Sequence, residues 1–261
     1  MNPPEMLNVC VAQMQSGENV DDNIKQICEL LQQAPDADLV IFPENSLFLR
    51  MHRTGVIPEI TLEHTAFTTL QKVVEQMAAV VLLGSVPLME EGRRTNAMVK
   101  LEKGVKPTVV YRKIHLFDVD VVGHDPVRES ADFTAGQTPE ILDVMGWKLG
   151  LSICYDLRFS ELYKFYAAQH VDAILIPSAF LVPTGRDHWH VLLRARAIES
   201  QCYVLAPAQA GSRYGHSLIV DPWGKVMAEL DQGVGVLKQS LAKHVISKVR
   251  QQIPMKMHRK L

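Results

Sequence analysis

Short apolar segments recur along the whole chain, and they restrict its fold more than any other feature. Each is rich in Val, Ile and Leu, and together they cover residues 7–12, 39–42, 80–83, 109–111, 149–153, 173–176, 203–206 and 218–220. Continuous apolar runs of this length predict strands that are buried on both faces. Helical periodicity lies between some of them, as in Val20, Ile24, Ile27 and Leu31. Other gaps are too short for a crossover helix, so the sequence predicts an α/β fold with mixed sheets.

The composition is that of an ordinary globular protein of 261 residues, with 47% apolar and 21% charged residues. We expect one domain over residues 1–261. Because 27 Lys and Arg nearly balance 29 Asp and Glu, neither a nucleic-acid nor a membrane partner is predicted. The longest mostly apolar stretch, residues 77–89, is too short to cross a bilayer. The N-terminal residues lack the features of a secretory signal, so we expect a cytoplasmic protein.

The cysteines and histidines do not follow a metal-binding or disulfide pattern. The cysteines are Cys10, Cys28, Cys154 and Cys202. Their wide spacing, without a C-x-x-C pair, argues against a zinc ribbon and a disulfide framework. The ten histidines include no H-E-x-x-H motif, and His188 and His190 stand two positions apart, where a helix or strand would direct them differently. The sequence therefore predicts free thiols and neither a metal nor a cofactor.

Three residues with catalytic potential directly follow predicted strands. Pro43 ends one apolar run, because proline cannot continue a strand ladder, and Glu44 comes next. Lys113 and Cys154 also follow apolar runs. Since α/β folds bind ligands at the carboxyl ends of their strands, a carboxylate, an ammonium and a thiol could share one sheet edge. Taken singly, each has an ordinary explanation: a solvated glutamate, a surface lysine and a buried cysteine.

Three segments of the chain resemble, in the same order, the catalytic blocks of the nitrilase superfamily of carbon–nitrogen hydrolases. They are Phe42-Pro43-Glu44, Tyr111-Arg112-Lys113-Ile114-His115-Leu116-Phe117-Asp118 and Ile153-Cys154-Tyr155-Asp156-Leu157-Arg158-Phe159-Ser160-Glu161-Leu162. The similarity continues to Gly224. Residues 194–203 and 221–224 are most similar to the branch that contains deaminated glutathione amidases, and residues 112–118 are also similar to the ω-amidase branch.

The resemblance implies a fold and a set of catalytic residues. The implied fold is an αββα sandwich of two mixed sheets flanked by helices, which pairs as a homodimer into a longer layered stack. The implied catalytic triad is Glu44, Lys113 and Cys154. Glu129 matches a second glutamate of the family, which would hold Lys113 charged and oriented.

The chemistry of amide hydrolysis explains why these residue types are needed. The Cys154 thiolate attacks the carbonyl carbon, and Lys113 with the Tyr155 N–H stabilises the oxyanion. Glu44 accepts the thiol proton, passes it to the departing nitrogen and later activates water. Free thiol and carboxyl groups differ by about 4 pKa units, and Lys113 is expected to lower the thiol pKa. We expect an amidase that hydrolyses the terminal amide of a small ω-amido keto acid such as deaminated glutathione. Ammonia would be released as a thioester forms on the cysteine.

The exact substrate and several alternative functions stay open at this point. A keto-acid carboxylate calls for a guanidinium, and Arg186 or Arg213 is a candidate, with Phe180 and Thr184 as further substrate-binding residues. The neighbouring branch would act on α-ketoglutaramate, and the same triad could hydrolyse nitriles. Other possibilities are a papain-like pair of Cys154 with His216, metal-dependent hydrolysis, and a non-enzymatic binding protein on the same scaffold.

Overall fold

Two six-stranded mixed sheets form the centre of the protein, described by a computed structural model over residues 4–52, 55–120 and 126–260. The first sheet contains β1 (Met6–Gln13), β2 (Leu39–Ile41), β3 (Val80–Glu90), β4 (Arg93–Glu102), β5 (Val105–Arg112) and β14 (Gly235–Ala242). Their order is β14-β1-β2-β3-β4-β5. The central strands β1, β2 and β3 are parallel, and the outer pairings are antiparallel.

The second sheet repeats this plan. It contains β8 (Ile141–Val144), β9 (Trp147–Leu151), β10 (Ala173–Leu175), β11 (Tyr203–Ala206), β12 (Leu218–Val220) and β13 (Val226–Glu229). Their order is β13-β12-β11-β10-β9-β8, with β9, β10 and β11 parallel. A small two-stranded sheet pairs β6 (Asp118–Val119) with β7 (Val127–Arg128).

The helices cover the sheets in two layers. They are α1 (Val20–Leu31), α2 (Thr65–Val74), α3 (Ser160–Ala168), α4 (Val182–Ser200), α5 (Lys243–Gln252) and α6 (Met255–His258). Apolar residues of α1 and α2 share one hydrophobic cluster with the first sheet, while those of α3 and α4 share another with the second sheet. None of the helices in the described part of the chain is both long and apolar enough to cross a membrane.

Alternation of side chains along the strands explains how the first sheet is buried on both faces. Val9 and Val11 of β1 belong to the cluster that also contains the second sheet, whereas Cys10 and Ala12 belong to the cluster with α1 and α2. This is the period of two expected of a strand. The order of layers is therefore helices, first sheet, second sheet, helices, which confirms the predicted αββα fold.

The predicted strands are all present, and the sequence missed several others. The missed strand β4 starts after a tight turn in which Glu91 and Gly92 both have positive φ angles. A search for continuous apolar runs does not find β4, because the strand begins with four polar residues, Arg93-Arg94-Thr95-Asn96.

The first sheet comes into close contact with the second at Gly84, in an irregularity of β3. A Cβ atom at Gly84 would lie 2.0 Å from the Phe42 carbonyl oxygen and 2.3 Å from the Pro177 side chain. Since Phe42 follows β2 and Pro177 follows β10, the carboxyl ends of these two strands meet here. Only glycine allows this approach.

Candidate active site

Glu44 lies just beyond the carboxyl end of β2, after Pro43 has ended the strand. Its side chain is almost fully buried. Oε1 accepts hydrogen bonds from Lys113 Nζ at 2.8 Å and Asn96 Nδ2 at 3.2 Å. Oε2 accepts one from the Ala179 N–H at 3.0 Å. A buried carboxylate requires such partners, and these hold it in one orientation.

Lys113 follows β5 and is only 2% exposed. Its Nζ lies 2.8 Å from Glu44 Oε1 and 2.8 Å from Glu129 Oε2. Burial would lower the pKa of Lys113, but the Glu129 and Glu44 carboxylates outweigh it and raise that pKa well above its usual range. Lys113 is therefore an ammonium at neutral pH.

Glu129 begins a short 3-10 turn after β7 and is tied to the same network. Its Oε2 also accepts from the Phe117 N–H at 2.6 Å, and its Oε1 accepts from Asn96 Nδ2 at 2.9 Å. Asn96, on β4, thus bridges the two glutamates, and the sequence analysis missed it. The available signal was a polar residue next to the apolar segment that begins at Ala97.

Cys154 begins a 3-10 turn, Cys154–Arg158, that follows β9. Its φ of +49° is in the left-handed region, which is unfavourable for any residue with a side chain. Its N–H donates to the Pro177 carbonyl at 2.9 Å, and its thiol and the Glu44 carboxylate line the same cavity. The structure thus brings Glu44, Lys113 and Cys154 together, and their catalytic roles remain predictions.

Asp156 holds the turn that carries Cys154, and it is fully buried. Its Oδ2 accepts from the Tyr111 hydroxyl at 2.7 Å and from the Ile153 N–H at 2.9 Å. Its Oδ1 accepts from the His115 N–H at 2.9 Å and lies 2.7 Å from His115 Nδ1. The first sheet and the Lys113 segment therefore position the turn through one carboxylate, whose role sequence reasoning did not find.

The environment of the Cys154 thiol favours its protonated form. Burial and then the Glu44 carboxylate raise the pKa of Cys154 well above its usual range, while Lys113 and the Ala179 N–H act in the opposite direction. Lys113 does lower the pKa of the Cys154 thiol, as expected. The effects of burial and Glu44 are larger, so the net shift of that pKa is upward. The thiol is therefore protonated at neutral pH, and the Glu44 carboxylate is close enough to influence its pKa.

The Tyr155 N–H lies in the first turn of the same 3-10 helix, where helical acceptors are missing. It donates a hydrogen bond to no other residue in the described ranges. The Tyr155 ring is fixed by edge contacts with Phe117 and Phe159, at 5.0 and 5.3 Å between ring centres. A free main-chain donor therefore lies next to the thiol.

These groups line a cavity of about 890 Å³. Glu44, Lys113, Glu129, Cys154 and Tyr155 all contribute to its wall. The volume is in the range of sites for small molecules. The cavity gives a substrate access to the thiol without exposing the buried ion pairs.

Two arginines of the cavity wall have no carboxylate partner among the described residues. The guanidinium of Arg213 makes no hydrogen bond within the described ranges. Burial lowers the pKa of Arg213, and the opposing effect of Glu44 and Cys154 is smaller. Arg158 stacks over the Phe180 ring at 5.4 Å and contacts His188 Nδ1 at 3.1 Å. Both guanidiniums are available to an anionic ligand.

The other predicted substrate-binding residues divide into two groups. Phe180 and Thr184 line the cavity. Arg186 does not: it is exposed on α4 and is not among the residues that line the cavity. The reason is its position on the helix, where Gly185 packs tightly against Tyr214 and directs the next residue outward.

His216 lies outside the cavity wall and does not form a pair with Cys154. Its Nδ1 lies 2.9 Å from Glu229 Oε1, and its ring stacks on Tyr214. The papain-like alternative therefore has no geometric support among the described residues.

Comparison with known proteins shows to which family a chain with this arrangement belongs. The family model for carbon–nitrogen hydrolases matches residues 8–251. The chain belongs to the carbon–nitrogen hydrolase family. This carbon–nitrogen hydrolase is 38% identical over 262 residues to a protein of Synechocystis sp. named deaminated glutathione amidase, covering 95% of this chain and 96% of that relative. It is 32% identical over 257 residues to mouse omega-amidase NIT2, covering 95% and 92% of the two chains.

A solved structure agrees with these relatives. Yeast Nit3, described as a member of branch 10 of the nitrilase superfamily, superposes with a TM-score of 0.84 at 26% identity. The match covers 97% of this carbon–nitrogen hydrolase and 96% of Nit3. The predicted membership of the nitrilase superfamily, and the similarity to deaminated glutathione amidases, are confirmed.

Proposed function

We propose that this carbon–nitrogen hydrolase is an amidase that cleaves the amide of a small keto acid, with deaminated glutathione as the preferred substrate. The main support is the buried thiol of Cys154 in one cavity with the Glu44 carboxylate and the Lys113 ammonium, which are paired at 2.8 Å, and with the guanidinium of Arg213, which has no partner among the described residues. A protein that only binds ligands has no need of a thiol placed against a base. The 38% identical relative supports the choice of substrate.

The reaction proceeds in two halves. Glu44 takes the Cys154 proton as the sulfur attacks the carbonyl carbon, and the C=O electron pair moves to oxygen. When the tetrahedral intermediate collapses, the C–N bond breaks, Glu44 protonates the leaving nitrogen, and a thioester remains. Glu44 then removes a proton from water, which attacks the thioester and releases the carboxylic acid and the thiol.

The oxyanion of both tetrahedral intermediates needs donors fixed in advance. Lys113 is charged and held between two carboxylates, and the Tyr155 N–H has no other acceptor in the described part of the chain. We assign these two groups to the oxyanion. Glu129 keeps the ammonium charged and orients it, and Asn96 fixes the spacing of the two glutamates.

Two features favour deaminated glutathione over α-ketoglutaramate. Deaminated glutathione carries a carboxylate at each end, whereas α-ketoglutaramate carries one. The cavity offers two guanidiniums, those of Arg158 and Arg213, for which the described part of the chain contains no carboxylate partner. The volume of about 890 Å³ also exceeds what the smaller amide fills. With deaminated glutathione, the amine that leaves is cysteinylglycine rather than the ammonia expected from the sequence.

The test is a direct comparison of substrates. Purified enzyme is given deaminated glutathione, α-ketoglutaramate and simple nitriles, and the keto-acid product and the released amine are measured. We expect the highest kcat/KM for deaminated glutathione, trapping of an acyl-enzyme on Cys154, and no turnover by Cys154→Ala. A preference for α-ketoglutaramate would make the protein an ω-amidase, and turnover of none of these compounds would favour a binding protein.

We also propose that residues 1–261 act as one domain in a homodimer. The unbroken family match and the hydrophobic cluster shared by both sheets support one domain. Exposed apolar side chains on the outer layer support the dimer: Val191 and Ile198, seven residues apart on α4, are 67% and 47% exposed, and Trp223 nearby is 56% exposed. The cytoplasm, whose reducing conditions keep thiols free, stays the predicted location.

A further inference from the structure

Three side chains of metal-binding type meet outside the catalytic cavity. His190 lies on α4, His216 lies just before β12, and Glu229 is the last residue of β13. His190 Nε2 lies 2.8 Å and His216 Nδ1 lies 2.9 Å from the same oxygen, Glu229 Oε1. All three potential ligand atoms lie within 4.8 Å of one another, and none of these residues lines the cavity.

The main chain around His216 is built to direct its ring at Glu229. Gly215 and His216 have φ angles of +70° and +57°, and a histidine with positive φ must be held by its surroundings. The Trp189 indole N–H donates to the His216 carbonyl at 2.8 Å, and the Tyr214 ring stacks on the imidazole with 4.5 Å between centres. The strained turn is therefore fixed from two sides.

The other two ligands are also held by regular structure. In the register of β12 with β13, Glu229 pairs with Leu218, two residues beyond His216. His190 lies within α4, one residue from the buried Trp189. Two of the three side chains thus lie on regular elements and the third lies on a turn fixed by Trp189 and Tyr214, which is the support that a preformed metal site requires.

We propose that His190, His216 and Glu229 form a Zn²⁺ site. Two imidazoles and one carboxylate are a ligand set that zinc accepts, with a water in the fourth position. The His–Glu separations of 2.8 and 2.9 Å are hydrogen-bond distances, and the ligand atoms need to move apart by only about 0.5 Å to reach the roughly 3.3 Å edge of a tetrahedron with Zn–N bonds of about 2.0–2.1 Å. The side chains are 21–33% exposed, so solvent reaches the open position.

Bound Zn²⁺ would join α4 and β13 to the segment that carries Arg213. His216 is three residues from Arg213, and between them Tyr214 packs against Gly185 of α4. The ion would therefore stabilise the wall of the cavity where Arg213 lies, without touching the catalytic groups. We expect it to raise Tm, because a ligand that binds only the folded state stabilises that state.

The test measures Zn²⁺ binding by calorimetry in a Cys154→Ala, Cys28→Ser background, which removes the catalytic thiol and the partly exposed thiol of Cys28. We expect one equivalent of Zn²⁺ to bind. Each of three substitutions should weaken Zn²⁺ binding: His190→Gln, His216→Asn and Glu229→Gln. Removing a residue that only hydrogen-bonds to a metal ligand already weakens binding by about 10- to 100-fold, so we expect a loss at least this large. Asn is chosen for residue 216 because it tolerates positive φ.

His188→Gln is the matched control, since it changes a histidine on the same helix outside the cluster. Melting curves without metal check that every variant is folded, and Zn²⁺ should raise the Tm of the background and of the control but not of the three ligand variants. Absence of Zn²⁺ binding by the folded background protein would overturn the proposal. Binding that survives all three ligand substitutions, or that is lost equally in His188→Gln, would also overturn it.

Discussion

At the scale of single residues, the charges around Cys154 decide when the thiol becomes reactive. Burial and the Glu44 carboxylate raise the pKa of Cys154, and Lys113 opposes them. The resting enzyme therefore holds a neutral thiol beside a base, rather than a preformed thiolate. Such a thiol is protected from unspecific alkylation and oxidation until a substrate carbonyl occupies the cavity.

This balance predicts opposite effects of two substitutions on the thiol. Glu44→Gln removes a negative charge and should lower the pKa of Cys154, whereas Lys113→Met removes a positive charge and should raise it. The pKa is measured as the rise of thiolate ultraviolet absorbance with pH, after subtraction of the Cys154→Ala spectrum. In the unmodified enzyme the rise should begin above the usual thiol pKa of about 8.5. A shift of both variants in the same direction would contradict this account.

Arg213 and Arg186 provide a matched pair for substrate recognition. Arg213 lines the cavity without a partner in the described ranges, and Arg186 is exposed away from it. Arg213→Met should lower kcat/KM for a keto-acid amide by about 10- to 100-fold, from the roughly 1.5–3 kcal/mol of a hydrogen bond to a charged group. Arg186→Met should change it less than twofold. Equal losses in the two variants would mean that neither binds the substrate carboxylate.

At the scale of secondary structure, the site is formed by residues that directly follow the ends of strands. β2 and β9 stop just before Glu44 and Cys154, and the irregularity in β3 at Gly84 lets the first sheet approach Pro177. The Ser85 hydroxyl and carbonyl then accept hydrogen bonds from the N–H groups of residues 45 and 46. Gly84, which has no side chain, therefore determines where Glu44 lies.

Gly84→Ala should destabilise the protein through overpacking. The new Cβ would lie 2.0 Å from the Phe42 carbonyl oxygen of the same sheet and 2.3 Å from the Pro177 side chain of the other sheet, so both must move. We expect a loss of at least about 1–3 kcal/mol in the free energy of unfolding, together with lower kcat. Denaturant titration measures the first effect. Gly233→Ala is the control, because its Cβ would meet nothing within 4 Å; comparable losses in both variants would refute the overpacking mechanism.

The sequence predicted the elements that can be found from local patterns, and it missed those that depend on pairing. Glu44 and Cys154 were found because they directly follow apolar runs, and Glu129 was found only through the resemblance to a family. Asn96 was missed because β4 itself was missed, and its role requires two glutamates from distant segments. Arg186 and Arg213 could not be distinguished as candidates from the sequence, because the direction of a side chain on α4 depends on what packs against Gly185.

At the scale of the whole molecule, the two outer layers differ in character. Two exposed apolar side chains, Val191 and Ile198, lie on one face of α4, with the exposed Arg194 between them. On the opposite side, the exposed residues of α2 include Thr68 and Thr69. Large apolar side chains grouped on an exposed face and bordered by charged residues are typical of a surface that contacts another protein.

The dimer proposed above can be tested on this face. Val191→Asp combined with Ile198→Asp should convert the dimer to a monomer in sedimentation experiments, because two buried charges would be left without partners. Thr69→Asp on α2 is the control and should leave the dimer intact. A monomeric unmodified protein at micromolar concentration, or a dimer that persists in the double variant, would rule out this interface.

The residues proposed to be catalytic are divided between the two halves of the chain, and this has a consequence for biosynthesis. Glu44 and Lys113 extend from the first sheet, whereas Cys154 extends from the second. A nascent chain that has emerged only as far as β5 lacks Cys154 and the whole second sheet. Because β14 (Gly235–Ala242) pairs with β1, the first sheet is complete only once residues 235–242 have been synthesised, so the cavity combines segments that leave the ribosome far apart in time.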